Sequence, residues 1–261
     1  MLPLCYWTIA SGSHSPLAHA MVASARKVGL REDFHIWSDQ PVVGAQGHLA
    51  GSVEGRDGLF KLTHLRDAAA HLPYEHLVFL DADCWFVRHP GNPLRLMQGS
   101  PVHLALEDDL SSPVLRKESW WRTPCPQLVE MMQACGVRHR SVRTANGGLF
   151  IVKRTAVPQL FDHAFEFWEY AKSHGCSFGD EPLLTFAMHR MCADPRLHAL
   201  ADTSDFWASD WRGHFADCLP DGSPWPFTNL FSGKTTAVNP AIVHAMRSKS
   251  ALTLFAEGVE A

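Results

Sequence analysis

The first eighty residues alternate between short apolar runs and stretches with helical spacing, and this alternation constrains the fold more than any other feature of the chain. Residues 4–10 are apolar, β-branched or aromatic, and Ser11-Gly12-Ser13 breaks the run. Ser15 and Pro16 then read as an N-cap and first-turn pair for a helix over residues 17–28. Leu17, Met21, Val22, Ala25 and Val28 share its face, and Gly29 stops it. Residues 33–37 read as a second strand. A polar, Gly-rich stretch over 44–58 leads to a helix over 59–70, with Leu59, Leu62, Leu65 and Ala69 in register. Pro73 separates that helix from a strongly apolar strand over 76–80. Strand, helix, strand, helix, strand is the order that builds a parallel sheet with helices on its faces, because parallel neighbours need a long crossover.

The rest of the chain is less regular. The pattern predicts a strand over 102–106, a polar loop around Ser111 and Ser112, a helix over 127–135 and a strand over 149–152. Helices over 157–172 and 181–191 follow, then a loop-rich region with Pro220, Pro224, Pro226 and Pro240, and a short strand over 241–244. No repeat and no Pro/Ser linker divides the chain. The expectation is one α/β domain over residues 1–261, with a mainly parallel central sheet flanked by helices and an irregular C-terminal portion.

Composition narrows the function. Lys+Arg 23 against Asp+Glu 27 leaves a net charge of −4, so no basic field exists to hold a nucleic-acid backbone. No apolar run approaches the roughly 20 residues of a transmembrane helix. The opening MLPLCYWTIA lacks a basic n-region and contains Pro3, so it reads as a strand and not a signal peptide, and a cytoplasmic location is expected. Seven cysteines, with no CxxC pair, read as reduced and mostly buried thiols. Sixteen histidines invite a metal, yet their abundance makes any one of them weak evidence.

The segment over residues 77–87, LVFLDADCWFV, carries the chemistry. A four-residue apolar run ends in Asp81-Ala82-Asp83, and side chains two apart on a strand face the same way, so both carboxylates can be aimed to one side. The carboxyl end of a parallel sheet is where ligands bind. Two hard oxygen donors there suit Mg²⁺ or Mn²⁺, which complete their shells with phosphate and water. The plainer alternative is one Asp capping a turn and the other solvated. Apolar Trp85, Phe86 and Val87 on the far side hold the pair where burial is costly without a counter-charge.

Written this way, the segment resembles the GT-A glycosyltransferases, nucleotide-diphospho-sugar transferases whose DxD motif follows an apolar strand. Three later stations resemble family eight of that group, in order. Asn146-Gly147-Gly148-Leu149-Phe150-Ile151-Val152 looks like the N-x-G segment that opens a strand and binds donor sugar or acceptor. Phe178-Gly179-Asp180-Glu181-Pro182-Leu183-Leu184 looks like the segment whose acidic residue lies against the transferred sugar. Ala241-Ile242-Val243-His244 looks like the late I-x-H that supplies a third metal ligand. The stations are spaced islands over residues 4–249.

The resemblance implies a GT-A, Rossmann-like fold, with residues 1–106 as the nucleotide-binding half and 107–261 as the acceptor side. It also implies a UDP-sugar donor, Mn²⁺ or Mg²⁺ on Asp81, Asp83 and His244, and retention at the anomeric carbon. If Asp180 or Glu181 instead deprotonates the acceptor, inversion follows. Lys61 is the first candidate counter-charge for the diphosphate, with Arg247 and Lys249 next. Arg247 stands where the family has glycine and Lys249 falls one residue early. Thr8 is placed to meet the nucleotide base.

Read from the residues alone, Gly147 and Gly148 leave backbone open to a ligand, and Asn146 can donate to and accept from a sugar hydroxyl. An Asn-Gly turn into a core strand fits equally. Asp180 and Glu181 also suit the N-terminus of a helix. Trp120, Trp121, Trp207, Trp211 and Trp225 could floor a sugar site or belong to the core or rim. Ser232-Gly233-Lys234-Thr235 ends like a phosphate-binding loop, but Thr228 stands at its first glycine position and no helix pattern follows. A saccharide, lipid or protein acceptor would meet residues 107–122 and 202–226. A nucleotide-sugar hydrolase, a nucleotidyltransferase or a non-catalytic relic of the fold would use the same acidic pair.

Overall fold

The computed structural model describes residues 2–49, 58–192, 205–210, 213–215, 225–229 and 235–246. In chain order these form β1 (Leu2–Ala10), α1 (Ser15–Lys27), β2 (Phe34–Ser38), β3 (Gln46–Leu49), α2 (Phe60–His71), β4 (Tyr74–Leu80) and β5 (Cys84–Phe86). Next come β6 (Val102–Asp109), β7 (Ser119–Trp120), β8 (Thr123–Pro124), α3 (Cys125–Ala134), β9 (Arg143–Lys153), α4 (Val157–Ser173) and α5 (Asp180–Met191). The last are β10 (Trp207–Ser209), β11 (Gly213–Phe215), β12 (Trp225–Asn229), β13 (Thr235–Val238) and β14 (Ile242–His244).

The protein is α/β. Six strands form a mostly parallel sheet in the order β3-β2-β1-β4-β9-β6, with β1, β2 and β3 parallel and β6 antiparallel to β9. Smaller sheets have the orders β10-β14-β5, β11-β12-β13 and β7-β8. Among the described residues, no helix is long and apolar enough to cross a membrane.

Packing divides the chain into two compact units. One comprises Met1–Pro3, Val53–Leu77 and Met97–Leu200, and the other Leu4–Ser52, Val78–Leu96 and Ala201–Ala261.

The core of the second unit is aromatic. Trp7 meets Trp37 and Phe79 edge-on, and Tyr6 stacks on Phe34 while Phe86 meets both edge-on. Helix α1 lies on β5, where Ser24 Oγ accepts the Phe86 N–H at 3.0 Å. Ser15 is the first residue of α1 and not its cap. Its hydroxyl donates to Asp39 Oδ1 at 2.8 Å, and the Gly12 N–H donates to Asp39 Oδ2 at 2.9 Å. The backbone N–H of Gly12 and then the Ser15 hydroxyl hold the Asp39 carboxyl below its ordinary range.

In the first unit α5 packs against α4 and β9. Phe167 of α4 stacks on Phe178 and Phe186, and Thr185 Oγ1 accepts the Ala145 N–H at 2.8 Å, pinning α5 to β9. These contacts fix the N-terminus of α5, which carries Asp180 and Glu181, beside the middle of β9.

Candidate functional site

Two clusters of polar side chains stand out, one in each unit. The first gathers Asp81, Asp83 and His244. Strand β4 stops at Leu80, and Asp81-Ala82-Asp83 is a tight turn closed by the Cys84 N–H donating to the Asp81 carbonyl at 3.0 Å. The carboxylates therefore converge through a turn, and not through strand alternation as the pattern suggested. Strand β5 then pairs antiparallel with β14, His244 opposite Cys84, and the Ala245 N–H donates to the Asp83 carbonyl at 3.0 Å. On its other edge β14 runs parallel to β10.

This pairing brings His244 Nε2 to 3.2 Å from Asp83 Oδ1 and 3.6 Å from Asp81 Oδ2. One potential ligand atom from each residue lies within 4.8 Å of the others. His244 and Asp83 are buried, while Asp81 is partly open, so the cluster has one accessible side. Trp207 lies 5.4 Å from the imidazole, centroid to centroid. Two carboxylates and one imidazole fit a divalent cation that keeps positions for phosphate or water. Asp210, buried just past β10, was not marked by any sequence motif; its N–H donates to the His244 carbonyl at 3.0 Å.

The second cluster forms around a bulge in β9. Leu104 pairs with Phe150 but the next residue, Ala105, pairs with Asn146, so residues 147–149 are left out of the β6 ladder. Their backbone groups need other partners. The Gly147 N–H donates to Glu181 Oε1 at 3.1 Å, and Lys61 Nζ donates to the Gly147 carbonyl at 3.0 Å. Lys61 also pairs with Asp180 Oδ2 at 2.9 Å. A Cβ at Gly147 would collide with Asp180 Oδ2 and sit 3.2 Å from Lys61 Nζ, so a side chain there would push the Asp180 carboxylate from its place beside Lys61.

Asn146 is buried, and its amide is engaged inside the protein: Nδ2 donates to Glu107 Oε1 at 2.9 Å, and Oδ1 accepts the Gly148 N–H at 2.7 Å. It orders the bulge and Glu107, where the sequence suggested direct contact with a sugar. Glu107 enters the cluster from β6, a position that no motif marked. Burial first, then the neighbouring carboxylates of Asp180 and Glu107, push the Glu181 carboxyl up to about 7. Trp121 donates from Nε1 to Glu181 Oε2 at 3.1 Å.

Of the other expected residues, Thr8 is fully buried within β1, so in this conformation it presents no surface to a base. Arg247 and Lys249 lie outside the described residues, as does most of the 202–226 stretch. Lys61, expected to meet a diphosphate, is committed to Asp180 and the Gly147 carbonyl. A scan against protein-family models finds no match, and a search of curated proteins finds no relative.

Proposed function

We propose that the protein is a divalent-metal-dependent glycosyltransferase that moves a sugar from a nucleotide-diphosphate donor, a UDP-sugar, to an acceptor hydroxyl. The convergence of Asp81, Asp83 and His244 at the carboxyl end of β4 carries this reading. Asp81, Asp83 and His244 would hold Mn²⁺ or Mg²⁺, which neutralises a diphosphate leaving group when bound. The bulge cluster, taken by itself, holds acidic groups of the kind that handle sugar hydroxyls. Lys61 holds Asp180 as an oriented carboxylate, and Glu181, poised near neutrality, is able to give or take a proton at a sugar hydroxyl. The resemblance to family eight carries retention with it; a base role for Glu181 toward the acceptor would give inversion, and the anomeric NMR signal of the product decides. The free thiols at Cys5, Cys84, Cys125 and Cys192 suit a reducing cytoplasm.

The test is incubation with Mn²⁺ and a panel of nucleotide sugars. Slow release of nucleoside diphosphate is expected, and release of sugar phosphate would instead mark pyrophosphate cleavage. Because residues that only orient metal ligands typically cost 10–100-fold when removed, Asp83→Asn should weaken Mn²⁺-dependent donor binding by at least ~100-fold. Donor binding that survives Asp83→Asn unchanged would remove the metal centre from the mechanism.

A further inference from the structure

We propose that Trp121 is the positioning residue for Glu181, fixing the orientation of its carboxyl group through the indole N–H from the tip of the β7–β8 hairpin. This rests on the reading above, in which the acidic start of α5 serves the sugar.

Three features place Trp121 there. Ser119 pairs with Pro124 and Trp120 with Thr123, leaving Trp121 and Arg122 as a two-residue loop. Such loops favour two left-handed residues and are normally Asn-Gly or Gly-Gly. Here φ is 51° at Trp121 and 61° at Arg122, a conformation that bulky side chains rarely adopt. The strain is held by what the tip touches.

The second feature is Gly179. A Cβ at that position would lie 2.2 to 2.6 Å from three atoms of the Trp121 six-membered ring, so the indole rests on bare backbone immediately before α5. The third is Glu181 itself. Its Oε2 accepts the indole N–H and its Oε1 accepts the Gly147 N–H, both at 3.1 Å, so hairpin and bulge clamp the carboxyl group from two elements. The charged groups about it are Asp180 on its own helix, Glu107 from β6, and Lys61 from α2 through Asp180. Burial and the two acids favour the protonated form, whereas the two N–H donors favour the carboxylate. Trp121 remains 41% exposed, so a ligand can reach the ring that sets this balance.

The experiment follows the Glu181 carboxyl ¹³C signal through a pH titration of the full chain, assigned by its loss in Glu181→Gln. Trp121→Phe removes the donor and keeps a smaller aromatic ring, and should raise the Glu181 titration by about one pH unit. Gly179→Ala pushes the unaltered indole aside and should raise it in the same direction. Arg122→Gly releases backbone strain while leaving the contact, and should leave the titration in place and raise the melting temperature. Glu181 titrating as in the wild type in both Trp121→Phe and Gly179→Ala would overturn the proposal. If both variants shift Glu181 while the wild type turns over no nucleotide sugar, the positioning role stands and the transfer reading falls.

Discussion

Gly147 leaves no room for an added methyl group while the bulge cluster keeps its contacts. Its Cβ would collide with Asp180 Oδ2 and press on Lys61 Nζ, two groups held 2.9 Å apart. Overpacking of this kind typically costs 1–3 kcal/mol. Gly147→Ala should lose about that much in urea unfolding. Glu181 adds a pH term of definite sign. Its carboxyl is raised from an ordinary value of 4.5 to about 7, so the folded state keeps a proton that the unfolded chain gives up between those values. That contribution is complete below pH 4.5 and is lost as pH rises through 7.

At the scale of elements, the β2–β3 edge behaves in the opposite way. His35 Nδ1 and His48 Nε2 are 2.9 Å apart across these strands, and His48 stacks on Trp37. Burial, and then the neighbouring His48, lower His35 from 6.5 to about 4, so the folded strand pair holds it neutral. Stability from this group is present above pH 6.5 and is lost as pH falls toward 4. His189 of α5 is lowered to about 4 as well, chiefly by burial, and adds to the same acid limb. The urea midpoint should therefore fall on acidification from pH 6.5 to 4, and His35→Gln should make that limb shallower. Strand β3 also shows where sequence patterning stops. Its residues, Gln46, Gly47, His48 and Leu49, have no apolar alternation, and only pairing with β2 makes them a strand. The helices were legible to within two residues at most ends because Leu62 and Leu65, or Leu160, Ala164 and Phe167, recur at helical spacing and are buried. Strand β9 begins at Arg143, six residues before the expected start, because Asn146-Gly147-Gly148 reads locally as a turn whereas it is a bulge within a longer ladder. The aspartates were legible from the apolar run before them. Glu107 and Asp210 were not, since each becomes a neighbour only through strand pairing.

For the molecule as a whole, each compact unit is assembled from three separate stretches of chain, so neither corresponds to a continuous segment that a single cut would release. Asp83 and His244 stand roughly 160 residues apart in sequence, and closing so long a loop costs entropy that an ion bound by both ends would offset. Mn²⁺ at one hundred times its dissociation constant should add about 2.7 kcal/mol to the stability of the wild type. Asp83→Asn should abolish that gain in thermal melts. In hydrogen exchange, Mn²⁺ should protect the amides of Cys84 and Ala245, which donate to the carbonyls of Asp81 and Asp83. The placement of His244 on the middle strand of β10-β14-β5 has one more consequence. Side chains alternate along a strand, so a one-residue slip of β14 against β5 would bring Val243 or Ala245 opposite Cys84 and turn the imidazole to the other face. A chain closed out of step would not assemble the Asp81, Asp83 and His244 cluster, so the moles of Mn²⁺ bound per mole of chain should count only the molecules paired in register.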